Sequence, residues 1–402
     1  MKNPVMLTIN ALGIGALVLT LANAQGSEFR AIKLFAQNER VTGIHCTNAK
    51  ACVIATDVSG PGHLYSSDGQ KITGTLITGD TKFGQQVGTI GEIGFLGFSV
   101  VKDSLVALLH GSGSGFVSAK GDFTQASSWS VTRIGTVADG GNFGLNQQMG
   151  LGFKDDRWLH FTEYMVYDST DPPGKGALWT QLWSPVSPSS PSNFDELLRA
   201  DKRLCITEPG VAASVKLTQP AYVAPDLGVI VYPSGHRNQR AADRSSGQSG
   251  VCISTDGGKR FYVVPFKDVP SNQGPEGVTC ISKDRCFAYS GILDAKFIYA
   301  SSNASRGVES TWRPTKLPTL RDSTVFHNIF FTPDGKNGWA VGSIANSSPL
   351  LFSSTDAGET WRDVSASVRA VAPNARLHAG FAVDATHVWL GGENDTLLTF
   401  GD

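Results

Sequence analysis

A short motif, serine–x–aspartate–x–glycine–x–x–aromatic, occurs twice in the second half of the chain, with the copies 100 residues apart. A repeat of this kind indicates a fold built from stacked, similar units. Its aspartate can accept hydrogen bonds from backbone amides just ahead of it, and its glycine suits a positive-φ position. Each copy therefore predicts a tight turn before a strand. The motif positions are Ser254, Asp256, Gly258 and Phe261, and Ser354, Asp356, Gly358, Thr360 and Trp361.

A second repeated element consists of an apolar segment, a polar turn and another apolar segment, as in residues 330–342 and 381–392. These elements predict innermost strands that begin near residues 42, 94, 148, 221, 277, 326 and 378, at intervals of 49 to 73 residues. The last unit is one strand short, and residues 30–35 can supply the missing strand. The fold class predicted is therefore all-β, a seven-bladed β-propeller closed by its N- and C-terminal strands, with six or eight blades as alternatives.

Composition limits the function classes. The 34 Lys and Arg residues nearly balance the 35 Asp and Glu residues, so the whole-protein basic field expected of a nucleic-acid-binding protein is absent. The hydrophobic share of 41% excludes a disordered chain. The sequence has no glycine-rich phosphate loop, no G-x-S-x-G and no H-E-x-x-H motif, and we predict no cofactor.

The N-terminus has the pattern of a secretory signal peptide. Lys2 precedes an almost wholly apolar segment from Val5 to Leu21, and Ala22-Asn23-Ala24 forms a small-x-small cleavage site. A membrane anchor is the alternative, but the apolar segment is short for a span. We therefore predict a signal peptide over residues 1–24 and a single propeller domain over 25–402. The expected product is secreted or periplasmic, not inserted in a membrane, and monomeric.

Six cysteines in an exported chain predict disulfides. Five residues separate Cys46 from Cys52 and Cys280 from Cys286, each time between two strand-like segments. Such hairpins bring two sulfurs within bonding distance, so both pairs are predicted. The remaining pair is Cys205 and Cys252. A zinc site would need a second close pair of ligands, so we predict no metal.

The S-x-D-x-G-x-T-W pattern resembles the Asp-box, or BNR repeat, of sialidase-like β-propellers. The stretch 338–342, together with the motif that follows it, also resembles the propellers of the photosystem II assembly and stability factor family. Both resemblances imply the propeller architecture. They do not imply one activity, because Asp-boxes are structural turns found in hydrolases, lyases, receptors and assembly factors.

Strand order predicts which face of such a propeller carries function. The two motif turns and both cysteine hairpins should share one face, and the longer loops should lie on the other, where binding residues usually occur. Three groups on or near the loop-rich face are candidate ligand-binding residues: aromatics of the long third unit, a basic loop in the fourth unit, and two histidines at similar repeat positions near the channel. Each group also has a structural interpretation, as blade core, solvated loop or buried histidines. The candidates are Tyr164, Tyr167, Trp179 and Trp183; His236, Arg237, Arg240 and Arg244; and His327 and His378.

The favoured hypothesis is a non-catalytic exported propeller that binds a glycan or a protein partner through its loop-rich face. The alternative is a sialidase-like glycoside hydrolase or a polysaccharide lyase that acts on acidic glycans. The early F-R-I-P motif of sialidases is absent, which argues against sialidase chemistry, and no catalytic residue is assigned. An enzyme of this kind should bring arginine, tyrosine and at least two acids into one pocket opposite the motif turns.

Overall fold

The computed structural model of the protein describes residues 28–57, 61–87, 91–110, 115–133, 136–137, 148–162, 165–173, 177–184, 191–206, 221–222, 228–237, 248–269, 274–290, 296–321, 323–345 and 347–401. The predicted signal peptide lies outside these ranges. The strands of the described ranges form seven sheets, and each sheet is one blade of a propeller. The first strands of the blades begin within two residues of the predicted positions. The seven-bladed prediction is therefore confirmed.

The first three blades follow strand β1 (Arg30–Ala31). Blade 1 contains β2 (Arg40–Asn48), β3 (Ala51–Asp57), β4 (His63–Ser67) and β5 (Ile72–Thr78). Blade 2 contains β6 (Gly94–Val101), β7 (Ser104–His110), β8 (Gly115–Lys120) and β9 (Trp129–Arg133). Blade 3 contains β10 (Thr136–Val137), β11 (Gln148–Lys154), β12 (Arg157–Thr162), β13 (Val166–Ser169) and β14 (Leu178–Trp183). Its fifth strand, β10, pairs in parallel with β14 and extends the outer edge of the blade.

The other four blades complete the ring. Blade 4 contains β15 (Ala221–Tyr222), β16 (Ile230–Arg237), β17 (Gln248–Ser254) and β18 (Tyr262–Pro265). Blade 5 contains β19 (Gly277–Cys280), β20 (Cys286–Tyr289), β21 (Ile298–Ser301) and β22 (Arg313–Pro314). Blade 6 contains β23 (Thr324–Phe331), β24 (Gly338–Ile344), β25 (Ser348–Ser354) and β26 (Arg362–Asp363). Blade 7 contains β27 (Leu377–Ala382), β28 (Val388–Gly392), β29 (Leu397–Phe400) and, from the N-terminus, β1.

Short helices lie between strands or between blades. Those in the described part of the chain are α1 (Thr81–Val87), α2 (Pro191–Ala200), α3 (Ser365–Arg369) and the 3₁₀ segments Ala126–Ser128 and Ala304–Glu309. Among the described residues, none of the helices has the length and apolar character that crossing a bilayer requires.

The two chain ends close the ring, as predicted. Strand β1 pairs antiparallel with β29, with Arg30 opposite Thr399 and Ala31 opposite Leu398. The Ile32 N–H extends the pairing with a 2.8 Å hydrogen bond to Leu397 O. Both strands would otherwise expose unpaired backbone groups at a sheet edge, so their pairing removes that edge.

The core lies between neighbouring blades. In the layer between blades 6 and 7, buried apolar side chains of both sheets interdigitate; they include Trp339, Val341, Leu351, Leu390 and Leu398. Strand alternation explains this arrangement, because each sheet turns apolar side chains to both of its neighbours. Burying one such side chain contributes about 1.5–3 kcal/mol, so the ring is held mainly by these layers.

The repeated motif forms the turn that its sequence predicts, between the third and fourth strands of blades 4 and 6. In blade 6, the Ser354 hydroxyl accepts the Gly358 N–H at 2.9 Å, and Asp356 accepts the Thr360 N–H at 2.9 Å and the Thr360 hydroxyl at 2.6 Å. Gly358 has a φ of 80°, a conformation that favours glycine. Trp361 is buried and anchors the end of the turn.

The structure contains three disulfides, at the pairs predicted: Cys46–Cys52, Cys205–Cys252 and Cys280–Cys286. Disulfides are typical of proteins in oxidising compartments. The hairpin at Cys280–Cys286 lies beside a third-to-fourth turn, since the Ala304 N–H donates to Asp284 O at 3.0 Å. We call this side of the ring the disulfide face. The second-to-third turns and the links between blades form the opposite, loop-rich face.

Among the described strands, those of five blades share a bulge at the start of the innermost strand. The register between the first and second strands shifts by one residue in blades 1, 2, 3, 6 and 7. A bulge inserts one unpaired residue and redirects its side chain, and bulges often lie next to functional sites. The inserted residues are Thr42, Leu96, Met149, His327 and His378.

Candidate functional site

Two bulge residues meet at the channel on the loop-rich side of blades 6 and 7. The ring centroids of His327 and His378 are 4.4 Å apart. Each histidine lies near the start of an innermost strand, where the link from the preceding blade arrives. The sequence predicted both as candidate ligands from their similar repeat positions. Their close contact in the fold is new information from the structure.

Two arginines lie beside this histidine pair. Arg40 is the first residue of β2 and forms an ion pair with Asp57 at the end of β3. Arg376 immediately precedes β27, and its Nη1 lies 3.1 Å from Glu393 Oε1. The Arg40 and Arg376 side chains are 42% and 30% exposed, so both are partly accessible to solvent, and the Nε atom of Arg376 is buried.

Glu393 also holds one histidine in place. Its Oε1 lies 3.1 Å from His378 Nε2, and its backbone N–H donates to Arg376 O at 3.0 Å. The carboxylate therefore fixes both a cation and an imidazole at the same edge of the channel. We call the six residues described here the channel-mouth cluster: Arg40, Asp57, His327, Arg376, His378 and Glu393.

The environment keeps both imidazoles neutral near pH 7. Burial, then the charge that His378 carries when it is protonated, and then the charges of Arg376 and Arg40 lower the pKa of His327 to about 3. Burial also lowers the pKa of His378, although Glu393 opposes that effect. The two arginines act on His327, and each of them also contacts one carboxylate, Asp57 or Glu393. Guanidinium groups and ring N–H groups are both suitable donors to an anionic ligand group.

A buried network supports the cluster from blade 1. Glu39 is 1% exposed, and its carboxylate accepts hydrogen bonds from the Thr56 hydroxyl at 2.7 Å and the Tyr65 hydroxyl at 2.9 Å. His63 Nδ1 lies 2.7 Å from the same carboxylate. Burial and the contact with Glu39 raise the pKa of Tyr65. Tyr65 is itself fully buried, so this Tyr–Glu pair is a structural support and offers no accessible nucleophile.

The described aromatic candidates of blade 3 are not available to a ligand. Tyr167, Trp179 and Trp183 are 4%, 0% and 9% exposed and belong to the layers between blades. Trp179 packs toward blade 2 and Trp183 toward blade 4, because the β13–β14 register shifts at Val166/Tyr167 and places the two tryptophans on opposite sides of the sheet. Their interpretation as ligand-binding residues is therefore corrected: they form blade core. Tyr164 lies outside the described residues.

The basic loop of blade 4 is described only in part. His236 and Arg237 are the last residues of β16, which ends on the loop-rich face, and Arg240 and Arg244 lie outside the described residues. Within the described ranges, no group of three or more His, Cys, Asp or Glu side chains is arranged to hold a metal ion.

Sequence reasoning missed the two arginines of the cluster and its two carboxylates, Asp57 and Glu393. A signal for the arginines was present, since Arg40 and Arg376 both stand two residues before a bulge residue, in Arg40-Val-Thr42 and Arg376-Leu-His378. An alignment of the repeat units on their innermost strands would have placed the two arginines at equivalent positions. Glu393 lies in a second-to-third turn, for which the repeat pattern defines no position.

Comparison with solved structures identifies other β-propellers. YCF48 from Cyanidioschyzon merolae has a TM-score of 0.59 at 10% identity, over 93% of this chain and 98% of that chain. A structure of YCF48 bound to D1 peptide has a TM-score of 0.56 at 12% identity, over 93% of this chain and 97% of that chain. The GH74 xyloglucanase from Xanthomonas campestris has a TM-score of 0.54 at 15% identity, over 92% of this chain and 52% of that chain. These likenesses establish the fold alone. No protein-family model and no curated protein sequence matches the chain.

Proposed function

We propose that the protein is an exported, non-catalytic propeller that binds an acidic partner at the channel mouth of its loop-rich face. The observation that carries this proposal is the convergence of Arg40, Arg376 and the His327–His378 pair from three blades on one opening. Arginine forms strong, directional hydrogen bonds with carboxylates, and neutral imidazoles add N–H donors. The chain has a net charge of only −1, so recognition would depend on these local donors and not on a whole-protein basic field.

A polypeptide partner has more support than a glycan. Tyr167, Trp179 and Trp183 are buried, so they can neither stack on a sugar nor anchor a protein partner. A propeller of similar structure, YCF48, has been solved bound to D1 peptide. Loops on a rigid ring commonly provide such binding surfaces. An acidic segment of a partner protein is therefore the first ligand to test, and acidic glycans are the second.

The test is a binding screen of the mature chain against arrays of acidic peptides and acidic glycans, followed by measurement of affinity for each hit. The variants Arg40→Gln and Arg376→Gln should each weaken binding about 10- to 100-fold, the loss expected when a charged hydrogen bond of about 1.5–3 kcal/mol is removed. Arg313→Gln and Arg362→Gln are matched controls, because these arginines are exposed on outer strands far along their blades from the channel. Equal losses in all four variants would reject the proposed site.

One observation favours a second candidate function, an enzyme that acts on acidic glycans. A neutral imidazole oriented by a carboxylate, as His378 is by Glu393 at 3.1 Å, is a suitable general base. In a lyase, the arginines would neutralise the uronate carboxylate while His378 removes the proton from the adjacent carbon. The electron pair of that C–H bond would form a C=C bond in the ring as the glycosidic C–O bond breaks, and the leaving oxygen would take a proton from water. Incubation of the mature chain with each glycan hit, with product analysis, separates the two functions. Binding without any product would reject the enzyme for that sugar, and turnover that His378→Gln abolishes would support it.

A further inference from the structure

We infer that the channel-mouth cluster binds a carboxylate group of its partner together with a proton, which the His327–His378 pair takes up. This inference rests on the proposed function and adds to it both the chemistry of the recognised group and a regulation of the site by pH. Its consequence is that an exported protein of this kind would bind its partner more tightly in acidic surroundings than in neutral ones.

The two histidines are the proposed proton acceptors, and the groups that contact them are as follows. His327 faces His378 at 4.4 Å and the Ser343 hydroxyl at 3.5 Å. The backbone oxygen of His327 accepts the Tyr289 hydroxyl at 3.3 Å, and burial raises the pKa of that tyrosine, so Tyr289 stays neutral. His378 faces Glu393 at 3.1 Å.

The other charged groups near the two histidines are two arginines, each of which forms an ion pair with one carboxylate. Arg40 and Arg376 are the positive groups that lower the pKa of His327, and both also act on His378. Asp57 and Glu393 are their carboxylate partners. Two imidazolium ions at 4.4 Å would repel each other, so the pair takes up one proton rather than two.

A bound carboxylate would reverse the balance at this site. In the free protein, burial and the two arginines disfavour a charged imidazole. A negative group placed between the arginines and the histidines would cancel that field and stabilise the imidazolium directly. Most of the effect should appear at His327, because His378 already has the Glu393 carboxylate beside it. By linkage, a group that stabilises a proton is itself bound more tightly when the proton is present.

The cluster suits a singly charged group better than a dianion. Each arginine already contacts one carboxylate, Asp57 or Glu393, so an incoming ligand meets two negative groups as well as two positive ones. A monoanion plus one proton leaves the net charge of the cluster unchanged. A dianion such as phosphate would add an uncompensated negative charge next to Asp57 and Glu393.

The expected pH effect can be calculated. The pKa of His327 is about 3 in the free protein. If a bound carboxylate restores an ordinary value of about 6.5, the affinity rises about tenfold between about pH 7.5 and about pH 5.5. Above about pH 7.5 the affinity should no longer depend on this pair. The linkage belongs to the pair, so either histidine could show part of the titration.

The first experiment follows the histidine ring protons of the mature chain by NMR as a function of pH. Sodium trifluoroacetate is the probe, because its carboxylate stays ionised at the low pH at which His327 titrates in the free protein. Trifluoroacetamide at the same concentration is the neutral control, and sodium chloride keeps the ionic strength constant. His327→Asn and His378→Asn assign the two signals. Trifluoroacetate should raise the titration midpoint of His327 by at least about one unit and leave His45, which lies among phenylalanines near the disulfide face, unchanged. Equal midpoints in trifluoroacetate and trifluoroacetamide would overturn the inference.

The second experiment separates this inference from the proposed function. The affinity of a peptide or glycan hit is measured by calorimetry at about pH 7.5 and about pH 5.5, in two buffers with different ionisation enthalpies. Tenfold tighter binding at the lower pH, with proton uptake that Arg40→Gln/Arg376→Gln abolishes, supports the inference. Binding that depends on the arginines but takes up no proton overturns it and leaves the proposed function intact. Binding that is indifferent to the arginines rejects the proposed site itself.

Discussion

Replacement of His45 by phenylalanine should protect the fold against acid. His45 lies on β2, and its ring centroid is 5.2 Å from Phe381, 5.4 Å from Phe123 and 6.4 Å from Phe98. Burial among these rings lowers its pKa to about 4, against an ordinary value of 6.5. The unfolded chain therefore takes up a proton at His45 as the pH falls below about 6.5, whereas the folded chain does so only near pH 4.

The magnitude follows from this difference in pKa. The contribution of neutral His45 to stability is complete above about pH 6.5 and is lost progressively as the pH falls toward 4. At pH 4 the loss amounts to about 3 kcal/mol. Phenylalanine cannot titrate, so the variant should keep this part of the stability. Near neutral pH the two proteins should agree within about 1 kcal/mol, because a phenylalanine has similar volume and matches the apolar surroundings.

The assay is guanidinium unfolding of both proteins between about pH 7.5 and about pH 4. Buried His160 and His327 also titrate at low pH, but they do so in both proteins, so the difference in the free energy of unfolding isolates His45. His387→Asn, in the exposed turn between β27 and β28, is the surface control. A difference that stays flat across the pH range would refute the assignment of His45 as a buried neutral residue.

Three further predictions concern the ring itself. Gly380→Ala should destabilise the protein by about 1–3 kcal/mol in the same unfolding assay, because a Cβ at Gly380 would meet the Phe330 ring. Gly74→Ala is the control and should be close to neutral, because only the Ser66 hydroxyl lies near that position, at 3.5 Å. Asp356→Ala removes the acceptor of the Thr360 N–H and hydroxyl and should lower the free energy of unfolding by about 1–3 kcal/mol. A melting temperature equal to that of the unmutated protein would contradict this prediction. A disulfide that closes a longer loop restricts the unfolded chain more. Removal of Cys205–Cys252, with a sequence separation of 47, should therefore lower the free energy of unfolding by about 4 kcal/mol, and removal of Cys280–Cys286, with a separation of 6, by about 2 kcal/mol. Equal losses would disprove this explanation.

The fold was predictable because the repeat determines both the length of each blade and which of its strands each segment forms. The S-x-D-x-G turns at Ser254 and Ser354 mark third-to-fourth turns, and the apolar pairs before Gly342 and Gly392 mark first and second strands. Once these positions are known, the ring follows, and with it the need for residues 30–35 to complete the last blade. The strand starts differ from the predicted ones by no more than two residues, since apolar periodicity does not define the first hydrogen-bonded residue of a strand.

The candidate site was predictable only in part, and for a physical reason. The repeat placed His327 and His378 at similar positions, but whether they touch depends on the bulges, which have no sequence signature of their own. The aromatic candidates of blade 3 were not recognised as core residues, because composition cannot distinguish an exposed tryptophan from one that fills a layer between sheets. Trp179 and Trp183 have the same strand parity, yet a single register shift sends them to opposite layers.

Closure of the ring and assembly of the channel-mouth cluster are the same event. Asp395 accepts the N–H groups of Asn38 and Glu39 at 3.1 and 2.6 Å and donates its own N–H to Glu39 O at 2.9 Å. This contact ties the turn that carries Glu393 to the residue that precedes Arg40. Because the cluster draws Arg40 from the first blade and His378 and Glu393 from the last, an open ring would separate its members. A site built across the closure therefore exists only in the completed fold, which explains why no single segment of the sequence contains it.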